Sequence, residues 1–189
     1  MKNLLSILVM MSLLLVSCPA ATEEEGMATV VFMRYSLVGG MIKTSVYEVT
    51  DDGTKFIGIM KNKNKLSYQT TAGKHTFMVV SEAADFMQAE LVAGKTYYSM
   101  VTPRTGALKA RFSLIPVRND GTTDFNTGTD KFKKWVNRTK PVQTDEKSRA
   151  WYEEHKNSVE DKRAKYWEKW QQKSPQDVLA RTLLPTDGS

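Results

Sequence analysis

From Ala28 to about Val117 the chain alternates β-branched and aromatic runs with turn signals roughly every ten residues, the pattern of an all-β domain. Strands are predicted near 28–35, 44–50, 55–60, 65–70, 74–81, 86–92, 95–102 and 108–117. Gly39-Gly40, Asp52-Gly53, Ala72-Gly73, Ala93-Gly94 and the stretch from Pro103 to Gly106 mark the reversals between them. Alternation also assigns faces. Val30, Phe32 and Arg34 share one side of the first strand, and Val31, Met33 and Tyr35 the other. Val46, Glu48 and Thr50 oppose Tyr47 and Val49; Phe77 and Val79 oppose Thr76, Met78 and Val80; Phe112, Leu114 and Pro116 oppose Arg111, Ser113 and Ile115. Several strands are therefore apolar on both sides, which calls for two packed layers or for cover from the C-terminal part. The expectation is a mainly β protein: a small antiparallel β-sandwich over 28–118 followed by C-terminal α-helices.

After Arg118 the pattern changes. Residues 119–130 are polar and rich in breakers, and the rest of 119–144 holds a short amphipathic stretch with Phe132, Trp135 and Val136, broken at Pro141. A helical period then runs from about Asp145 to Gln172. Tyr152, His155, Val159, Arg163, Tyr166 and Trp170 recur at three- and four-residue steps, with Trp151 and Trp167 beside them. Ser174, Pro175 and Asp177 form an N-cap, a first-turn proline and an acid three residues on, so a second helix is expected to reach about Leu183 within the helical region 145–189.

Before the strands, Lys2 and the apolar run Leu4 to Val16 read as an export signal, too short for a spanning helix of about 20 residues. It ends in Leu15-Val16-Ser17-Cys18, which resembles the bacterial lipobox, where the cysteine is acylated and becomes the processed N-terminus. The alternative is a plain secretory cut after Ala20 or Ala21. On the first reading 1–17 is the signal peptide and 18–27 a tether carrying Glu23, Glu24 and Glu25, with palmitate-type chains on Cys18 holding the protein to a membrane. Pro19 stands where an Asp would resemble the inner-membrane retention signal, so the resemblance favours the periplasmic face of the outer membrane.

Composition narrows the chemistry. Among 189 residues there is one Cys, which excludes an intrachain disulfide framework and zinc sites needing two thiolates, and there are only two His. The formal charge of +6 is modest and spread along the chain, and an exported protein leaves the nucleic-acid pool, so no nucleic-acid partner is expected. No cofactor or metal is expected either.

Val31-Phe32-Met33-Arg34-Tyr35, Gly39-Gly40, Val46-Tyr47-Glu48-Val49 with Asp52-Gly53, Ala72-Gly73-Lys74-His75 and Ala93-Gly94-Lys95-Thr96-Tyr97-Tyr98 are spread through residues 28–117, about half of the chain. In these motifs it resembles a bacterial lipoprotein family known as domain of unknown function 2846. That family more often has Pro-Gly-x-His where Ala72 stands here. The resemblance implies an envelope location and non-catalytic binding or structural work, with no catalytic residue to carry over.

Four constellations invite a function. His75, beside a glycine turn, either fixes that turn or serves a hydrolase with an acid such as Glu90 or Asp85. Asp120, Asp124, Asn126 and Asp130 look like calcium ligands but miss the EF-hand spacing. Lys131, Lys133, Lys134, Arg138 and Lys140 surround Phe132 and Trp135, a basic amphipathic patch suited to anionic lipid or polymer unless its rings pack inward. Trp151, Trp167 and Trp170 either contact an envelope protein partner or bury themselves against the β domain. The sequence thus points to a non-enzymatic, outer-membrane-anchored accessory, scaffold or binding module.

Overall fold

The computed structural model describes residues 26–36, 39–104 and 111–189. The expected signal peptide, Cys18 and the expected tether up to Glu25 lie outside these residues, as do Thr105 and Gly106 of the expected reversal and residues 108–110 of the last expected strand.

Eight strands form where alternation places them: β1 (Met27–Arg34), β2 (Thr44–Thr50), β3 (Gly53–Met60), β4 (Asn64–Thr71), β5 (Gly73–Val80), β6 (Ala84–Leu91), β7 (Thr96–Arg104) and β8 (Arg111–Pro116). Gly94 at the Ala93-Gly94 reversal has φ 76°, a conformation that costs little only without a Cβ. After β8 come α1 (Asp130–Arg138), β9 (Lys140–Pro141), α2 (Glu146–Gln171), α3 (Pro175–Leu179) and β10 (Thr182–Leu183). None of the helices among the described residues is long and apolar enough to cross a membrane.

The strands make two five-stranded sheets, ordered β8-β7-β1-β4-β9 and β10-β6-β5-β2-β3. Hairpin neighbours pair antiparallel, but both sheets are mixed. β1 pairs parallel with β7, from Thr29↔Thr96 to Met33↔Met100, because β2, β3, β5 and β6 build the second sheet before the chain returns beside β1. The sheets stack as a sandwich around Val30, Phe32, Val46, Phe77, Val79, Met87 and Leu114, with Phe32 and Phe77 edge to face at 5.3 Å.

Arg34 shares the inner face with Val30 and Phe32 and is fully buried. Its guanidinium donates to Thr44 Oγ1 at 3.3 Å, the Met60 carbonyl at 3.2 Å and the Gly39 carbonyl at 2.7 Å, and lies 4.3 Å from the centre of the Phe112 ring. Burial lowers its pKa to about 10.

The outer faces are apolar too, and each has a helix. Val31, Met33 and Met100 on the first sheet are covered by Phe132, Trp135 and Val136 of α1, while Tyr47, Met78 and Phe86 on the second lie under Tyr152, Val159 and Trp170 of α2. Asp145 caps α2 by accepting from the Ser148 amide at 2.8 Å. Along α2, Glu160 accepts from the Thr54 amide at 3.0 Å and its hydroxyl at 2.7 Å, which fixes the helix across the β2–β3 hairpin.

The connections seal the sandwich's sides. Between α1 and α2, β9 pairs parallel with β4, and Thr144 then donates to the Ile57 carbonyl of β3 in the other sheet at 2.5 Å. On the opposite side the helix that begins at Ser174 stops at Leu179 rather than continuing to Leu183. Arg181 is held between the sheets by the Leu114 carbonyl (2.9 Å) and Asp85 (2.5 Å). Thr182–Leu183 extends the second sheet beside β6, with Leu183 in the core. Capping chemistry starts that helix, but sheet pairing and core burial end it. Ser189 then exchanges backbone hydrogen bonds with Thr96 of the first sheet at 2.8 and 3.1 Å.

Arg118 secures this strap. It donates to Asp187 at 2.7 Å, to the Thr182 carbonyl at 2.6 Å and to the Leu179 carbonyl at 3.0 Å, with the Asp187 side chain only 2% exposed. Removing one partner strands the other's charge in a dry site. Arg118→Ala is therefore expected to cost about 3–5 kcal/mol in chemical denaturation; a loss below about 1 kcal/mol would show that the strap is not coupled to folding.

Candidate functional site

The polar positions of the inner face converge at the end of the sandwich opposite Arg34. In the β2–β5 register Glu48 faces Phe77, so His75, two residues along, is its diagonal neighbour on the same side. The other sheet contributes Tyr68 and Thr70 of β4. His75 Nδ1 lies 2.5 Å from Glu48 Oε1, and Tyr68 donates its hydroxyl to Glu48 Oε2 at 2.5 Å. Thr70 donates to Oε1 at 3.3 Å, and Lys55 Nζ stands 3.9 Å from Oε2. The cluster borders a polar cleft of about 580 Å³ whose rim carries the Lys74–Glu90 ion pair at 3.7 Å.

Protonation follows from the partners. His75 Nε2 faces the Thr71 carbonyl at 2.9 Å, which can only accept, so this nitrogen carries a proton, and Nδ1 shares a proton with Glu48. Burial pushes the Glu48 carboxyl up, but hydrogen bonds from His75 and Tyr68, with the charges of His75 and Lys55, outweigh it and hold the group below its ordinary value. Burial raises the Tyr68 phenol, and its bond to Glu48 raises it further. Neither ring nitrogen of His75 keeps a free lone pair toward the cleft, so the arrangement acts as a clamp between strands and sheets.

The acids considered for His75 are engaged elsewhere. Asp85 is bound to Arg181 at 2.5 Å and Glu90 pairs with Lys74, so the sequence expectation of a His75 dyad with either one is corrected: its carboxylate is Glu48. Pairing of strands distant in sequence creates that contact. Its one sequence signal is that Glu48 falls on the inward side with Val46, where a carboxylate requires a partner.

The loop acids serve local structure: Asp120 accepts from the Thr122 amide at 2.9 Å, Asp124 pairs with Lys131 at 3.4 Å and Asp130 with Lys133 at 3.3 Å. On α1, Phe132 packs edge to face on Tyr98 and Trp135 stacks on Phe125 at 5.6 Å, while Lys131, Lys133 and Lys134 are exposed on the other side. Trp170 is buried beside Phe86, and Trp167 meets the same ring edge to face at 5.0 Å. These two rings brace α2 on the sheet, so Trp170 is not a surface contact. Trp151 is half-buried and stacks on His155 at 4.5 Å.

The sign of the pH effect follows from Glu48. Because its folded pKa lies below the ordinary 4.5, its stabilisation is complete above that value and is lost as pH falls through the folded pKa. Glu48→Gln should be less stable than the parent at neutral pH, with the gap closing in acid-denaturation curves below about pH 4.5. A pH-independent gap would rule out this role. His75→Ala should cost about 2 kcal/mol by the same measurement.

No protein-family model and no curated protein matches the chain.

Proposed function

We propose that the protein is a non-catalytic envelope lipoprotein, held by acyl chains on Cys18 to the periplasmic face of the outer membrane, whose β-sandwich works as an accessory or binding module. The observation that carries this reading is the placement of the only cysteine: Cys18 directly follows an apolar leader in Leu15-Val16-Ser17-Cys18. Each buried CH₂ of an acyl chain contributes about 0.8 kcal/mol, so two or three chains anchor a folded body durably. The resemblance of the turn motifs to the domain of unknown function 2846 supports the same assignment.

The non-catalytic part rests on His75. With Nδ1 on Glu48 and Nε2 on the Thr71 carbonyl, the ring is committed to the fold, and general-base work would require breaking one of these bonds.

Metabolic labelling of cells with a palmitate analogue should mark the protein and leave Cys18→Ser unmarked. The variant should also leave the membrane fraction. An unlabelled parent, or a Cys18→Ser protein that still sediments with membranes, would overturn the anchor.

A further inference from the structure

Where α2 ends, the surface that runs from β6 of the second sheet to the β7–β8 edge of the first becomes strongly basic. Lys165, Lys169 and Lys173 follow at four-residue steps and stand in one row. Lys169 Nζ lies 5.8 Å from the Tyr166 ring centre and Lys173 Nζ 5.6 Å from that of Trp170, contacts that hold both ammonium groups near the aromatic floor. Facing the row, Arg104 of β7 and Arg111 of β8 are directly opposed in the antiparallel ladder. These five cations line one cleft of about 330 Å³. Its one lining acid, Asp85, is taken by Arg181 at 2.5 Å, with Arg104 at 4.0 Å. Among the described residues no carboxylate pairs with Arg111, Lys165, Lys169 or Lys173.

Like charges directly across a ladder destabilise it, and so do like charges four apart on a helix. Here two such arrangements, on elements far apart in sequence, converge on one concavity. A bound polyanion would remove both costs.

We propose that this cleft binds a compact ligand bearing more than one phosphate group. The planar forks of Arg104 and Arg111 suit bidentate contact with one phosphate, and the lysine row supplies point charges for the next. The site is separate from the α1 lysines, two of which are paired with neighbouring acids, and it does not depend on acylation of Cys18.

Titration calorimetry of the purified protein with inorganic tripolyphosphate should give saturable binding that weakens with added salt. Lys165→Gln with Lys169→Gln should weaken it at least about tenfold. Both side chains are exposed, so the fold should persist in circular dichroism. Arg111→Thr should also weaken binding while raising the melting temperature of the ligand-free protein, because it relieves the cross-strand repulsion. Lys133→Gln with Lys134→Gln on α1 should leave the affinity unchanged.

Sedimentation with phosphatidylcholine vesicles containing phosphatidic acid distinguishes the source. Vesicle binding that is lost in the Lys165/Lys169 variant identifies a lipid headgroup, and tripolyphosphate binding without vesicle binding identifies a soluble phosphate ligand. Binding of neither probe, or binding that survives the Lys165/Lys169 substitutions or disappears with those on α1, would overturn the proposal.

Discussion

Several strands of this sandwich are apolar on both sides, and that constraint governs the molecule. Two stacked sheets bury only their facing sides, leaving Val31, Met33 and Met100 on one sheet and Tyr47, Met78 and Phe86 on the other in need of cover. The polypeptide after Arg118 supplies it. α1 lies on one outer face and α2 on the other, while the segments that link and follow them close the two sides where the sheets meet. Residues 119–189 therefore complete the β core. α1 also shows why its lysines face outward: Phe132 and Trp135 are committed inward, so its charged side meets water.

Between the sheets, the two strongest polar demands sit at opposite ends of the sandwich, each met by several partners, although the Nε of Arg34 is left without one. At one end Arg34 relies on carbonyls, a hydroxyl and the face of Phe112; at the other, Glu48 collects donors from three strands. The residues between are mainly hydrocarbon and aromatic, with the buried Ser99 hydroxyl bonded to Met87 and the Ile115 carbonyl. Such placement favours one alignment of the two sheets, since sliding one against the other would leave a guanidinium or a carboxylate without partners in a dry interior.

The fold was legible wherever local periodicity decides. All eight strands, the two sides of β1, β2, β5 and β8 and the extent of α2 follow from alternation, turn residues and helical period. What was not legible depends on pairing between remote segments. The parallel contact of β1 with β7, the turn of Thr182–Leu183 into a strand and the choice of Glu48 as the carboxylate of His75 each need the assembled sheets. The basic cleft is of the same kind. Arg104 and Arg111 lie more than fifty residues before the lysine row, and the chain's modest net charge conceals their convergence.

The sealing of both sides by late-arriving segments has a kinetic corollary. Thr54 meets Glu160 across 106 positions and Arg118 meets Asp187 across 69, so the closing contacts carry a large chain-entropy cost and form after the hairpins. Until they form, β4 and β6 present unpaired backbone along edges that β9 and β10 later occupy. A partly assembled molecule is thus a template for adding strands from another copy, and the tail that completes the fold also acts as its guard against self-association.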